Sequence, residues 1–154
     1  MLMYADTKVV FAEVPDEVTL AINISNCPCN CKGCHSSYLG TDVGDPLLPE
    51  VLEELIDSNK GITCVAFMGG DSAPWEVHRL AMFIRVVFPH LKVAWYSGRD
   101  SLHSRIELNL QDFDYIKLGP YKEECGPLNS RTTNQRFYRV VKNSLVDITE
   151  KFWK

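Results

Sequence analysis

The sequence predicts an α/β protein: a partial (βα) barrel with a mostly parallel sheet, open on one side, and a C-terminal hairpin. Three observations carry that prediction. Strand and helix periods alternate over residues 18–118, which is the pattern of right-handed crossovers over parallel strands. The chain has 154 residues, too few for a complete eight-unit barrel of about 250. Finally, two β-rich runs near the end flank the polar triplet Lys142-Asn143-Ser144, as the arms of a hairpin do.

The elements follow in order. A strand is expected at residues 8–13. Val18-Thr19-Leu20-Ala21-Ile22-Asn23-Ile24 alternates with period two and leads straight into a cysteine-rich segment, so that segment follows the C-terminal end of a strand. Leu48, Val51, Leu52, Leu55 and Ile56 recur at helical spacing, with Pro49 suited to a first turn and residues 59–61 as the stop. Residues 62–68 form a short continuous apolar run, as in a strand covered on both faces, and Gly69-Gly70-Asp71 ends it. Ser72 is placed to cap the next helix, whose core face is Val77, Leu80, Ala81, Ile84 and Val87 and which Pro89 ends. Residues 91–97 and 115–118 read as further strands, each followed by a glycine, Gly98 and Gly119. Residues 121–136 are long and polar for a connection, and such loops carry function more often than short ones. Residues 137–141 and 145–149 are the hairpin arms.

Composition narrows the function classes. The formal net charge is -4 and the basic residues form no stripe, which argues against nucleic acid as a partner. No apolar run approaches the ~20 residues of a membrane span, and the first residues lack the basic start and apolar centre of a secretory signal. A soluble, cytoplasmic protein is the expectation.

Of six cysteines, four crowd into Asn26-Cys27-Pro28-Cys29-Asn30-Cys31-Lys32-Gly33-Cys34-His35, while Cys64 and Cys125 stand alone. A disulfide framework would space its cysteines along the chain and belongs to secreted proteins; four thiols this close indicate a metal site. Cys64 lies in an apolar run and reads as core. Two metal readings remain, zinc held by all four thiols or an iron-sulfur cluster held by a subset. Structural zinc usually draws two separated pairs, and no second pair exists: Cys125, His35, His78, His90 and His103 form no matching knuckle and read as surface or loop residues. Cys27, Cys31 and Cys34 give the spacing C-x3-C-x2-C. Three thiolates on a four-iron cube leave one iron open to a small molecule, which suits chemistry better than simple electron transfer. Cys29 is placed to substitute for a neighbour but is expected to be a non-ligand.

That three-cysteine spacing after a strand resembles the radical S-adenosylmethionine superfamily. Met68-Gly69-Gly70-Asp71 is similar to its glycine-rich segment for the methionine amino group. Glycines let a ligand approach the backbone, so that carbonyls and a carboxylate receive an ammonium; as a purely structural feature the triplet is a turn. Many members carry an aromatic residue before the third cysteine, where this chain has Gly33. The resemblance sharpens, over nearly the whole chain, towards the activating proteins of anaerobic ribonucleoside-triphosphate reductase. Its carriers are Cys31-Lys32-Gly33-Cys34-His35, Phe67-Met68-Gly69-Gly70-Asp71, Trp95-Tyr96-Ser97-Gly98, Lys117-Leu118-Gly119-Pro120-Tyr121 and Thr133-Asn134-Gln135-Arg136.

The resemblance implies a single radical S-adenosylmethionine domain over residues 1–154. It implies a [4Fe-4S] cluster on Cys27, Cys31 and Cys34, and S-adenosylmethionine bound at the open iron near Gly69, Gly70 and Asp71. Ser97, at a strand end on the same rim, is a further cofactor candidate; its structural role would be a capping hydroxyl. One electron from a donor such as reduced flavodoxin would cleave the cofactor, and the resulting radical would take a hydrogen atom from a glycine of the reductase. Asn134, Gln135 and Arg136 are placed to touch cofactor or partner, or to anchor their loop, and Phe152 and Trp153 to pack the core or hairpin, the other role open to them being a docking site. The other functions compatible with these residues are an activase of a different glycyl-radical enzyme, a ferredoxin-like electron carrier and a zinc-stabilised interaction module without catalysis.

Overall fold

The computed structural model describes residues 2–25 and 44–153. Residues 26–43, which contain Cys27, Cys29, Cys31, Cys34 and His35, lie outside the described residues. In chain order the strands are β1 (Met3–Val10), β2 (Thr19–Ile24), β3 (Asp45–Pro46), β4 (Cys64–Met68), β5 (Lys92–Tyr96), β6 (Tyr115–Leu118), β7 (Arg136–Val141) and β8 (Ser144–Asp147). The helices are α1 (Pro49–Asp57), α2 (Pro74–Val87) and α3 (Ser104–Glu107), with short 3-10 turns at Leu110–Asp112 and Thr149–Phe152.

The strands form one sheet in the order β3-β1-β2-β4-β5-β6-β7-β8, whose two outer strands do not pair with each other. The α/β class and the C-terminal hairpin stand as expected. The sheet itself corrects the expectation of a mostly parallel one: β2-β4-β5-β6 is parallel, but four of the seven pairings are antiparallel. The reason lies in the connections. α1, α2 and α3 fall between the parallel strands and supply the crossovers that parallel pairing requires, whereas the chain reaches β7 and β8 without a helix and lays them down antiparallel.

Side chains alternate across this sheet. Leu20, Ile22, Ile24, Val65, Phe67, Val93, Trp95 and Ile116 pack against Leu52 and Ile56 of α1 and Val77, Leu80, Ala81 and Ile84 of α2. The other face carries Cys64, Ala66, Ala94, Tyr115 and Phe137, covered by Val14, Leu128, Ile148 and Phe152 rather than by a helix. Both faces are buried, which is why the central strands read as continuous apolar runs.

Three boundaries differ from the sequence reading. β1 begins at Met3 and ends at Val10. Its residues are nearly all half-buried, so it lacks the alternation that marks a strand, and its limits come from pairing Val10 with Thr19 and Tyr4 with Ile24. Ser72 does not cap α2: Ala73 is the N-cap residue without a side-chain bond, because Pro74 occupies the first turn. α3 is too short to leave a periodic pattern. Among the described residues, no helix is long and apolar enough to cross a membrane.

Candidate functional site

The C-terminal ends of β2, β4, β5 and β6 share one rim, because parallel strands in register end together. β2 ends at Ile24, and buried Ser25 is tied to Met3 by its backbone N–H at 2.9 Å and its hydroxyl at 3.2 Å. The cysteine segment follows this end of β2 in the sequence. Cys27, Cys31 and Cys34, the predicted cluster ligands, lie outside the described residues.

Gly69 and Gly70 follow β4 with φ of +117° and +99°, a region that side chains disfavour. Both approaches are also close. A Cβ on Gly69 would lie 3.2 Å from the Ile24 carbonyl oxygen, and one on Gly70 would lie 2.5 Å from Val77 Cγ2. The glycine turn thus presses against the last residue of β2, at the root of the cysteine segment. Its backbone is held: Gly69 N–H donates to the Tyr96 carbonyl at 3.0 Å, and Trp95 Nε1–H donates to the Gly69 carbonyl at 2.7 Å.

Asp71 is 4% exposed. Its Oδ1 accepts from the Ser97 hydroxyl at 2.5 Å and its Oδ2 from Gly98 N–H at 2.8 Å. The carboxylate therefore rivets the loop after β4 to the loop after β5, and the Ser97 hydroxyl accepts in turn from Arg99 N–H at 3.2 Å. Four predicted residues, Gly69, Gly70, Asp71 and Ser97, accordingly meet on one rim. Each carboxylate or carbonyl oxygen keeps lone-pair capacity beyond one bond.

Lys117 belongs, in the sequence reading, only to the segment Lys117-Leu118-Gly119-Pro120-Tyr121, with no role of its own. It is buried on β6, where its Nζ donates to the carbonyls of Ser97 at 3.1 Å and Gly119 at 2.9 Å and stands 5.7 Å from the Tyr96 ring centroid. An amino group is thereby placed directly beneath the rim. The available signal was a lysine inside the apolar tetrapeptide Tyr115-Ile116-Lys117-Leu118. Asn134 Nδ2 donates to the Pro120 carbonyl at 3.0 Å, the loop-anchor geometry. Beside the rim, on the helical side, Asp71, Trp75, Trp95, Arg99 and His103 line a cavity of about 350 Å³.

The remaining candidates divide clearly. His78 is not a surface residue: it is buried on α2, with Nε2 2.7 Å from Asp112 Oδ2 and Nδ1 accepting from Arg105 Nε at 3.2 Å. Both ring nitrogens are thereby occupied. Cys64 is fully buried, and burial followed by the charge of Glu17 pushes its thiol up to about 12; a thiol kept protonated is a poor metal ligand. Among the described residues, no three His, Cys, Asp or Glu side chains come together as a metal site. A cluster would draw its sulfur ligands from residues 26–43, the part of the chain that holds the other four crowded cysteines.

The parallel strands and the thiol-rich segment that follows β2 in the sequence define a class, an α/β protein with an iron-sulfur cluster domain. The chain matches the family model for the 4Fe-4S single cluster domain over residues 18–138, and it belongs to that family. The match begins just before β2 and ends within β7, so it takes in the cysteine segment and the whole rim. No curated protein and no solved structure matches the chain.

Proposed function

We propose that the protein is a radical S-adenosylmethionine activase that cleaves its cofactor reductively at a [4Fe-4S] cluster and generates a glycyl radical on anaerobic ribonucleoside-triphosphate reductase. The observation that carries this reading is the contact of the Gly69-Gly70 turn with Ile24, at the root of a segment with three cysteines in C-x3-C-x2-C spacing. Support also comes from the iron-sulfur family, which is found in radical-SAM activating enzymes.

In this reading Cys27, Cys31 and Cys34 hold the cluster and leave one iron for S-adenosylmethionine. The Gly69 and Gly70 carbonyls receive the ammonium of the methionine moiety. Asp71 and Ser97 keep those carbonyls aimed by locking the two loops together. The cluster and cofactor, when bound, supply a one-electron cleavage that ends in abstraction of a hydrogen atom. The open sheet serves as a partial barrel, with its strand-end rim turned to the cofactor and a loop of the reductase excluding water. Reduced flavodoxin or a similar low-potential donor provides the electron.

The test is anaerobic reconstitution with iron and sulfide, then mixing with the reductase, S-adenosylmethionine and dithionite. Brown protein, 5'-deoxyadenosine and a glycyl-radical signal in electron paramagnetic resonance are expected. Stoichiometric zinc without iron uptake would exclude the reading, and a cluster that yields no 5'-deoxyadenosine would leave only an electron carrier.

A further inference from the structure

Arg136 opens β7, and since Leu118 of β6 pairs with Arg136, it stands at the strand-end rim. Its guanidinium carbon lies 6.0 Å from the ring centroid of Trp153, and that of Arg131 lies 5.8 Å from the same centroid. Two cations share one indole, so they are no farther apart than the sum of those distances. Among the described residues one carboxylate pairs with them, Asp147, with Oδ2 3.6 Å from Arg136 Nη1. Arg131 is exposed and pairs with no carboxylate among the described residues. Trp153 Nε1–H is buried without an acceptor among the described residues. Hydrogen-bond donors therefore outnumber acceptors here, whereas a self-sufficient surface balances them.

Charge is unevenly spread along the chain. Residues 131–154 hold six Lys and Arg against two Asp and Glu, whereas residues 1–130 hold ten against eighteen. Of these basic residues Arg131 and Arg136 share Trp153, whereas Arg139 and the turn residue Lys142 lie towards the other end of β7, so attraction of an acidic partner to this place rests on the two arginines.

The platform is also built in advance. Arg131 sits between Ser130, whose N–H donates to the Pro127 carbonyl at 2.9 Å, and Thr132, whose hydroxyl donates to the Cys125 carbonyl at 2.5 Å. Thr133 N–H closes the turn on the Ser130 carbonyl at 3.1 Å. Presenting a long cation on a loop already ordered lowers the entropy that binding must otherwise overcome. The polar connection at residues 121–136 gains a role in this way.

We infer that Arg131, Arg136 and Trp153 form the docking platform for a carboxylate-rich segment of the protein substrate, beside the rim where the radical is generated. This rests on the proposed function for the identity of the partner, but not for the chemistry of the surface. Two neighbouring cations on a chain of net charge -4 match a short acidic peptide segment better than the long phosphate track of a nucleic acid.

The reconstituted full-length protein is titrated with polyglutamate at low and at physiological salt. Wild type should bind and weaken as salt rises, while Arg131→Glu/Arg136→Glu should bind at least about tenfold more weakly. Since Arg136 also touches Asp147, Arg131→Glu alone, at an exposed position in no ion pair, provides a second variant with an expected loss of about threefold. Arg131→Glu should keep wild-type iron content and 5'-deoxyadenosine formation. Wild type that ignores polyglutamate, or variants that bind it equally, overturn the platform; so does retention of duplex DNA in preference to the acidic chain. With the reductase, an unchanged glycyl-radical yield in the double variant removes the platform and leaves the function standing. If polyglutamate binding depends on the two arginines but no reductase acquires a radical, the function falls and the surface stands.

Discussion

At the scale of single residues, a few atoms decide whether the rim can do chemistry. The four thiols between Cys27 and Cys34 are chemically alike, and only three belong to the C-x3-C-x2-C spacing. Cys31→Ala should lose the cluster, because two thiolates cannot hold a four-iron cube, whereas Cys29→Ala should retain wild-type iron and sulfide. Iron assay and the visible spectrum after anaerobic reconstitution read this directly, and iron loss from the Cys29 variant would refute the ligand assignment. Gly69, Gly70, Asp71 and Ser97 were legible as one group because each directly follows an apolar strand run, and strands in register bring their ends together. Asp71 and Ser97 do meet, at 2.5 Å. Lys117 was not legible: its burial depends on carbonyls from Ser97 and Gly119, loop groups whose positions the local sequence does not encode.

At the scale of elements, the junction of β4 with α2 is the tightest part of the rim. Gly70→Ala drives a methyl against Val77, 2.5 Å away by the ideal geometry, and does so at a φ of +99°. Gly61→Ala meets nothing within 4 Å at a φ of +91°, so it carries the backbone penalty alone. Urea unfolding should therefore show a loss of about 3 kcal/mol for Gly70→Ala and about 1 kcal/mol for Gly61→Ala. Equal losses would mean that α2 shifts freely and that the junction is not rigid. The elements themselves were readable to different degrees. α1, β4 and β6 have strong apolar periods and lie close to where the pattern puts them. The turn between β7 and β8 was visible as polar residues, and Lys142 and Asn143 indeed adopt φ of +50° and +61°, the conformation of a two-residue hairpin. β1 was misplaced because its half-buried residues encode no face, and apart from the hairpin the antiparallel pairings, β1 with β2 and β3 and β6 with β7, were missed because pairing direction is set by connections rather than by strand composition.

For the whole molecule, the sheet has two unlike faces, and the helix-free one makes stability depend on alkaline pH. Cys64, Tyr96 and Tyr115 lie on it. Burial, then the charge of Glu17, raises Cys64 from its ordinary 9.0 to about 12. Burial, then the hydrogen bond to Glu17 at 2.9 Å, raises Tyr115, and burial followed by the charge of Glu13 raises Tyr96. In the unfolded chain these groups ionise at their ordinary values; in the native state they stay neutral. Above pH 9 the unfolded state therefore binds fewer protons than the folded one, and stability must fall as pH rises. It is complete below pH 9 and is lost progressively as pH climbs towards the native values, with the tyrosines adding their share above pH 10. By pH 10 Cys64 alone should account for a loss on the order of 1 kcal/mol. Urea midpoints measured from pH 8 to 10 should decline for wild type and decline less steeply for Cys64→Ala, which has no thiol to ionise. Identical slopes in the two proteins would show that the thiol ionises as readily in the folded protein as outside it, and that the helix-free face is open to water where the structure closes it.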